Sequence, residues 1–286
     1  MTASVSSPAS PPAARPGTKP APRPRASKMF DSVLVPAGEM GVLLGTVLWS
    51  AIRHPFGYWA DVRDQMFSML KLCWIPMAIS TLAFGFGAPG LQGGNIYLLF
   101  GIPERLGSFF IMASVREFAP WINAMVVAGV VGAAMTADLG ARKIREEIDA
   151  MQVLGIDPIR DLIVPRVIAV TIMTGLMDLV ALTFGVIGGF VAAVPILGAS
   201  PGAFISSFFA NATVTDLWGS VLKTTIFGLV IAIVCCYKGL TVKGGPIGVG
   251  RAVNQAVVIS FAGIFIINTL FTTILLGLNP DMQVYK

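Results

Sequence analysis

A densely charged stretch, REEIDAMQVLGIDPIRD at residues 145–161, lies between two long apolar segments of this sequence. Apolar residues in and beside it recur at spacings of four, three and three, which places them on one face of a helix. They are Ile144, Ile148, Met151 and Leu154. Gly155 favours a helix end, and the Asp-Pro pair at 157–158 favours a turn. The spacing therefore predicts a short amphipathic helix over residues 141–154.

The other faces of this helix carry both acidic and basic residues, and two interpretations follow. One is a solvated loop helix that rests on a bilayer. The other is a docking site for a partner protein. A helix that rests on a membrane is usually dominated by Lys and Arg, which bind anionic lipid. The mixture of charges favours docking, although the periodicity alone leaves both interpretations open.

A second set of candidates consists of charged residues inside apolar segments. Arg116 and Glu117 are adjacent, Lys223 lies in a later segment, and Asp178 lies in the middle of a third. A charge at the centre of a bilayer costs roughly 2.5–3.5 kcal/mol on insertion scales, so such residues are rare and often functional. Arg116, Glu117 and Lys223 are predicted either to join two helices by salt bridges or to form a polar lock beneath a lipid pocket or a contact for a partner. No role is predicted for Asp178.

One glycine-rich stretch, GPIGVGRA at residues 245–252, imitates the spacing of a phosphate-binding loop. It has Arg251 where that loop needs Lys and Ala252 where it needs Ser or Thr, and no buried strand precedes it. The sequence also lacks the spacings typical of metal ligands and of nucleophile–base pairs. We therefore predict no catalytic residue, no metal site and no cofactor in this chain.

The composition indicates which elements must position these residues. Of the 286 residues, 55% are hydrophobic and only 12% are charged, and the mean hydropathy is +0.78, whereas a soluble domain has about a quarter charged residues. The apolar runs exceed the roughly 20 residues that a helix needs to cross a bilayer. They lack the alternation of barrel strands. The chain is predicted to be an all-α protein that crosses a membrane several times.

Residues 1–28, rich in Pro and Ala with scattered Arg and Lys, are predicted to be a disordered cytoplasmic tail, and 29–286 a single membrane domain. Residues 29–57 are interrupted by Pro36 and are predicted to form an interfacial helix, with a true span as the weaker option. Polar residues 87–95 are predicted to form a hairpin. The five predicted spans are 66–87, 108–136, 163–194, 216–237 and 253–278.

Lys and Arg concentrate in the loop between the second and third spans and in the loop between the fourth and fifth. Cytoplasmic loops carry such an excess, so both loops and the N-terminus are predicted to be cytoplasmic and the C-terminus to lie outside. The predicted fold is thus an N-terminal interfacial helix, five transmembrane helices, and a cytoplasmic helix between spans two and three.

Several stretches resemble the MlaE/YrbE family, the permease subunits of ABC transporters that work with MCE-domain proteins. These are REEIDAMQVLGIDPIRDLIVPR, VREFAPW, AGVVGAAMTADLG and GVGRAVNQAVV. The resemblance runs in one register from about residue 30 to the end. It is nearest to the YrbE proteins of actinobacterial Mce operons.

The resemblance implies that the helix at 141–154 is a coupling helix that docks into a groove of an ATPase. The residues that it assigns to this contact are Arg145, Glu146, Glu147, Asp149, Met151, Leu154 and Asp157. It also implies a second YrbE-type permease (so a heterodimer), a cytoplasmic ATPase dimer that binds ATP and Mg²⁺, and MCE-domain proteins outside. The implied location is the plasma (inner) membrane.

The predicted function is that of a permease subunit that moves a hydrophobic lipid, of the fatty acid, mycolate or sterol class, across the cell envelope. Two alternatives from other classes are an integral-membrane lipid-modifying enzyme and a secondary transporter. An enzyme would need an acid–base or nucleophile constellation, and the sequence shows none. A secondary transporter would have inverted repeats, and none is visible in the sequence.

Overall fold

The computed structural model describes residues 25–53 and 57–279, and the regular elements within those ranges are helical. Eight continuous helices follow one another there. They are α1 (Arg25–Arg53), α2 (Trp59–Leu99), α3 (Pro103–Ile144), α4 (Glu147–Val153), α5 (Ile159–Ile196), α6 (Pro201–Asn211), α7 (Val214–Leu240) and α8 (Gly245–Leu278).

Six of these helices, all except α4 and α6, are long and apolar enough to cross a membrane. The prediction of an all-α membrane protein is confirmed, and each of the five predicted spans lies within one of the long helices. The sixth candidate span is Leu34–Arg53, inside the helix predicted to be interfacial. The predicted tail falls mostly on residues 1–24, outside the described residues, and α1 begins at Arg25.

The predicted hairpin at residues 87–95 is wrong, because α2 continues through it as a helix to Leu99. Glycines in and just before it permit helix packing rather than a turn. A Cβ atom added to Gly90 would lie 2.7 Å from the Cβ of Ala192 in α5, and one added to Gly85, two residues before the predicted hairpin, would lie 2.2 Å from the carbonyl oxygen of Gly185. Only a residue without a side chain lets the two backbones approach so closely, as in other membrane helix pairs.

Several long helices contain a wider, π-helical segment: Phe86–Gly93 in α2, Ile111–Phe118 and Ala128–Gly132 in α3, and Ile159–Ile163 and Ala192–Ile196 in α5. Four of the five contain a proline or lie within two residues of one. Proline removes the backbone N–H that a regular α-helix needs, and such wider turns are frequent at functional sites. The segment at 111–118 is the one that carries Arg116 and Glu117.

The core of residues 40–286 is built around α5, which packs against α2 on one side and α7 on another. Buried aliphatic residues such as Val170 and Met177 fill the interior together with residues of α3 and α7. Close approach again depends on glycine, since a Cβ on Gly228 of α7 would lie 2.8 Å from Thr174 of α5. The central position of α5 brings α3, α7 and α8 close enough for side chains of different helices to pair.

Candidate functional site

The predicted helix at 141–154 is not continuous. Helix α3 ends at Ile144, and α4 begins at Glu147. Glu146 between them has a backbone φ of 59°, the only positive φ of a non-glycine residue in the part of the chain that the structure describes. A left-handed residue ends one helix and redirects the chain into the next. The prediction is therefore corrected to two helices with a sharp turn between them.

The turn changes which charges meet. A continuous helix would pair charged residues that are four positions apart. In the structure, Arg145 Nε instead donates to Glu147 at 2.7 Å, and Lys143 Nζ donates to Asp149 at 2.8 Å. Arg142 lies 3.8 Å from Glu147. These side chains are one-third to three-fifths exposed, so each pair contributes little stability. We call residues 142–157 the α4 segment.

The apolar face of the α4 segment is only partly covered. Ile148 is 5% exposed and Met151 is half-buried. Leu154, predicted on the same helical face, is 76% exposed, and Val153 is 88% exposed. The helix ends at Val153, and Gly155 has a φ of 77°. Leu154 therefore lies just beyond the end of the helix and is exposed.

The end of the segment is tied by local hydrogen bonds. The backbone N–H of Ile156 donates to the carbonyl of Met151 at 2.9 Å, which closes the helix end that Gly155 predicted. The carboxylate of Asp157 accepts the backbone N–H of Ile159 at 3.0 Å. Asp157 thus initiates α5 rather than projecting freely, while Glu146 is exposed at the opposite end.

The charged residues inside the apolar segments meet in what we call the intramembrane polar cluster, formed by α3, α5, α7 and α8. Proline explains one contact in it. In a regular helix the N–H of residue 120 would donate to the carbonyl of Arg116, but Pro120 has no N–H. The ammonium of Lys223 donates to that carbonyl oxygen instead. Lys223 is 2% exposed, so a backbone defect in α3 helps to solvate a buried cation.

Arg116 pairs with Asp216 at the start of α7. Its Nε donates to the carboxylate at 2.6 Å, and the two side chains are 10% and 2% exposed. The other oxygen of Asp216 accepts the backbone N–H of Thr213 at 2.9 Å, while Thr213 accepts the N–H of Asp216. Asp216 therefore closes the capping box of α7 and neutralises a buried guanidinium at the same time.

Glu117 faces α8 and α7. Its two oxygens accept hydrogen bonds of 2.6 Å from Asn268 and from Thr272, and Lys223 Nζ lies 3.7 Å away. The structure thus brings together the three residues predicted for this site. The Glu117 side chain is 33% exposed. A carboxylate inside an apolar span is tolerable when it is paired and hydrogen-bonded, and Glu117 meets both conditions.

Asp178 lies on α5 beside this cluster and is fully buried. One of its oxygens accepts the hydroxyl of Ser220 at 2.6 Å, and the other has no hydrogen-bond partner among the described residues. The side chain of nearby Asn123 donates to the carbonyl of Thr174 at 2.8 Å. Asp178 therefore extends the polar network to α5.

A shallow groove of about 170 Å³ opens beside Glu117 and is lined by Phe118, Trp121, Phe265 and Asn268. The rings of Trp121 and Phe265 are 5.3 Å apart. The indole N–H of Trp121 and the amide oxygen of Asn268 are buried and have no partner within the described part of the chain. The groove therefore has aromatic walls, and two of its lining residues each hold an unpaired, buried polar atom.

The sequence reasoning missed Asp216, Ser220, Asn268 and Thr272. Asn268 and Thr272 are uncharged and occur in an apolar helix, where hydroxyl and amide side chains commonly bond within their own helix. Asp216 follows Thr213 by three residues, so the pattern indicated a helix cap.

The glycine-rich stretch at 245–252 begins α8 rather than forming a loop. Gly244 and Gly245 have φ values of 89° and 67°, and the helix proceeds from Gly245. Across the described ranges, no group of three or more His, Cys, Asp or Glu side chains is placed to hold a metal ion.

Residues 62–274 match the family model described as Permease MlaE. The match covers α3 to α7 completely and most of α2 and α8. It therefore includes both the α4 segment and the intramembrane polar cluster.

Individual proteins give the same picture. The chain is 35% identical over 194 residues to a probable ABC transporter permease protein of Synechocystis sp., covering 67% of this chain and 74% of that protein. It is 32% identical over 223 residues to a probable ABC transporter permease protein of Rickettsia prowazekii, covering 78% and 85%. It is also 34% identical over 229 residues to the chloroplastic protein TRIGALACTOSYLDIACYLGLYCEROL 1 of Arabidopsis thaliana, covering 79% and 64%.

Proposed function

This chain belongs to the MlaE permease family, and on that premise we propose that it is the membrane subunit of an ATP-driven lipid transporter. A partner ATPase binds ATP and Mg²⁺ and docks on the α4 segment. The polar end of the lipid binds in the groove beside Glu117. This chain performs no catalysis.

The observation that carries this proposal is the continuity of α3. The same helix bears Arg116 and Glu117 in its outer part and ends at Ile144, next to the α4 segment. From Glu117 to Ile144 it spans about 40 Å at 1.5 Å per residue. A packed helix that contacts both places can transmit a displacement of the docked partner to the lipid groove, as in other shear motions.

The exposed surface of the α4 segment supports docking. Val153, Leu154 and Ile156 are apolar and exposed outside the candidate spans. Interfaces of stable complexes have apolar centres and polar rims. The acidic side chains of Glu146 and Asp149 form such a rim around the apolar residues, so a partner groove with an apolar centre and basic edges would complement this segment.

The groove beside Glu117 supports a lipid with a small polar end. The free N–H of Trp121 and the free amide oxygen of Asn268 can pair with a hydroxyl or a carboxyl group. The aromatic walls suit an acyl chain or a ring system. These features fit the fatty acid, mycolate and sterol classes. The name of the Arabidopsis relative also contains a lipid, trigalactosyldiacylglycerol.

The proposed assembly contains a second YrbE-type permease in a heterodimer, an ATPase dimer on the cytoplasmic side and MCE-domain proteins outside. The proposed location is the plasma (inner) membrane, with the N-terminus in the cytoplasm and the C-terminus outside. The excess of Lys and Arg in the loops at 138–166 and 238–252 supports this orientation.

Cysteine labelling of intact cells tests the orientation. Cys73, Cys235 and Cys236 are buried, so their background labelling should be low. The external labelling site is Ser200, which is exposed, rather than its buried neighbour Ala199. A membrane-impermeant reagent should label Ser200→Cys and should not label Glu147→Cys. Labelling of Glu147→Cys from outside would reverse the orientation.

Co-purification with the ATPase and lipid-stimulated ATP hydrolysis test the function. Leu154→Asp should leave the permease in the membrane but release the ATPase and abolish the stimulation. Ile247→Asp is the matched control, because Ile247 is 71% exposed at the start of α8 and does not belong to the α4 segment. Retention of the ATPase by the Leu154→Asp variant would refute docking on the α4 segment.

A further inference from the structure

A larger cavity, of about 550 Å³, lies at the α4 side of the membrane helices and is distinct from the groove beside Glu117. Residues from the first part of α2, the last part of α3 and the first part of α5 line it. Its volume lies within the range of small-molecule binding sites, which is about 300–1,000 Å³.

The lining changes from polar to apolar with depth. Asp61 of α2 and Asp161 of α5 lie at the helix ends, and Leu72 and Val170 lie deeper along the same helices. From Asp61 to Leu72 the wall extends about 16 Å along the axis. That length is close to half of a hydrocarbon core about 30 Å thick. The cavity thus has the polarity profile of one leaflet of a bilayer.

The charges in the lining are arranged in two layers. The outer layer contains three carboxylates, Asp61, Asp64 and Asp161. Asp64 pairs with Arg63 at 2.9 Å, and Asp161 lies 3.8 Å from Arg160, whereas Asp61 has no ion pair among the described residues. The outer layer is therefore acidic, even with two of its carboxylates partly neutralised.

The inner layer contains Asp138 and Arg166, which lie further from the ends of α3 and α5 than Asp61 and Asp161 lie from the ends of α2 and α5. Arg166 Nη2 donates to Asp138 at 2.5 Å, and Arg142, near the end of α3, extends its side chain to the same carboxylate oxygen, to which its Nε donates at 3.2 Å. Two guanidinium groups thus share one carboxylate. Arg166 is only 8% exposed, and its Nη1 has no hydrogen-bond partner within the described residues. An unpaired buried guanidinium N–H is costly, and an anion in the cavity would supply the missing acceptor.

We propose that this cavity binds a glycerophospholipid with a free ammonium headgroup from the leaflet on the α4 side. The phosphate binds at Arg166 and Arg142, the ammonium binds at Asp61 and Asp161, and an acyl chain lies along Leu72 and Val170. In such a lipid the phosphate is nearer to the glycerol than the ammonium is, so the order of charges with depth matches that of the lining. The proposal rests on the lipid-handling function proposed above.

The position of the cavity favours a lipid over a segment of a partner protein. Leu72 is 50% exposed, and Ser68, one turn nearer the helix end, is also exposed. Both lie inside a candidate span, so the cavity opens sideways where a bilayer would be. An ammonium group donates hydrogen bonds to carboxylates, which a quaternary ammonium cannot do. Glycerol headgroups lack the positive charge, so the ethanolamine headgroup fits the lining better than choline or glycerol.

Photocrosslinking in nanodiscs tests the proposal on the full chain. Four probes share one acyl chain with a diazirine and differ only in the head: phosphoethanolamine, phosphocholine, phosphoglycerol, and diacylglycerol without phosphate. Crosslinks to residues 68–72 and 131–135 are quantified by mass spectrometry. A charge-assisted hydrogen bond corresponds to about a tenfold difference in binding or more. The ethanolamine probe should therefore exceed each of the others about tenfold.

Two matched variants locate the binding. Asp61→Asn combined with Asp161→Asn should reduce the preference for ethanolamine over glycerol headgroups to near unity. Leu72→Trp should fill the apolar part and abolish the crosslinks, while Leu70→Trp, on the same helix but outside the lining, should retain them. Equal crosslinking by all four probes, or equal loss in the two tryptophan variants, would overturn the proposal.

The same preparations separate this proposal from the proposed function. ATPase co-purification is measured on each variant in parallel. If headgroup selectivity is absent while Leu154→Asp still releases the ATPase, the cavity site is wrong and the transporter assignment stands. If selectivity is present while Leu154→Asp retains the ATPase, the cavity site stands and the docking assignment fails.

Discussion

The ion pairs of the α4 segment and those of the intramembrane polar cluster differ most in how far apart their members lie in the sequence. Arg145 and Glu147 are two residues apart, and Lys143 and Asp149 are six apart. In the cluster, the contact between Arg116 and Asp216 joins residues 100 apart, and the contacts of Glu117 with α8 join residues more than 150 apart.

The two regions also differ in exposure, and this decides what their charges contribute. Exposed pairs contribute about 0.2–1 kcal/mol because water solvates each partner almost as well. Breaking a buried pair costs about 3–5 kcal/mol because the remaining charge has no solvent. Charges in the α4 segment are therefore available for a partner, whereas removing one charge of the cluster leaves its partner uncompensated inside an apolar span.

The largest expected effect is that of Asp216→Ala. It removes the buried carboxylate that Arg116 Nε contacts and one half of the capping box of α7, so the free energy of unfolding should fall by about 3–5 kcal/mol. Thermal unfolding of the purified protein in detergent measures this. Asp149→Ala, in the exposed region, should change stability by less than about 1 kcal/mol. An equal loss of unfolding free energy in the two variants would show that the charges of the two regions do not differ in their contribution to stability.

A double-mutant cycle on Glu117 and Lys223 tests whether the cluster acts as one unit. Glu117→Gln and Lys223→Met should each destabilise the protein, and the double variant should be less damaged than the sum of the two. Coupling between residues in one network is about 0.5–3 kcal/mol. Glu117→Gln with Asp149→Ala serves as the control, and its effects should add. Additivity in the first cycle would mean that the 3.7 Å pair carries no interaction energy.

Charge reversal in the α4 segment should affect the partner more than the permease. Glu146→Lys with Glu147→Lys should change the free energy of unfolding by about 1 kcal/mol or less and yet abolish co-purification of the ATPase. Ile148→Asp should instead destabilise the permease itself, because it places a charge at a position that is 5% exposed. If the double variant retains the ATPase, the docking interpretation is wrong and the α4 segment is a solvated loop helix.

The smallest expected effect is that of Glu146→Gly. Glu146 has a φ of 59°, which strains a residue with a side chain but not glycine. The substitution should raise the free energy of unfolding by up to about 1 kcal/mol. Arg145→Gly is the control, since Arg145 has a φ of −81° and should lose about 0.5–1 kcal/mol. Equal destabilisation by both variants would show that the turn is not strained.

The candidate residues differed in how well the sequence predicted their surroundings. Ile148 was placed correctly on the apolar face of the helix because its periodicity is local. Leu154, predicted on the same face, lies one residue beyond the end of α4 and is exposed. The break at Glu146 could not be predicted, because glutamate is a good helix former and carries no signal of a positive φ.

The hairpin expected at residues 87–95 shows a related limit. Pro and several Gly residues in a polar context predict a turn when only the local sequence is considered. Here the glycines let α2 lie against the backbone of α5, and the helix continues through them. Whether glycine ends a helix or permits close packing depends on a second helix that the local sequence does not describe.

By itself the sequence determined that this is an all-helical membrane protein with a charged segment between α3 and α5, because hydrophobic length and helical periodicity are properties of neighbouring residues. It also marked Arg116, Glu117 and Lys223, since a charge in an apolar run is conspicuous. Only the tertiary structure decided that Arg116 pairs with Asp216 and that Glu117 contacts Asn268 and Thr272. Those contacts join residues 100 or more apart, and their geometry depends on how α3, α7 and α8 pack around α5.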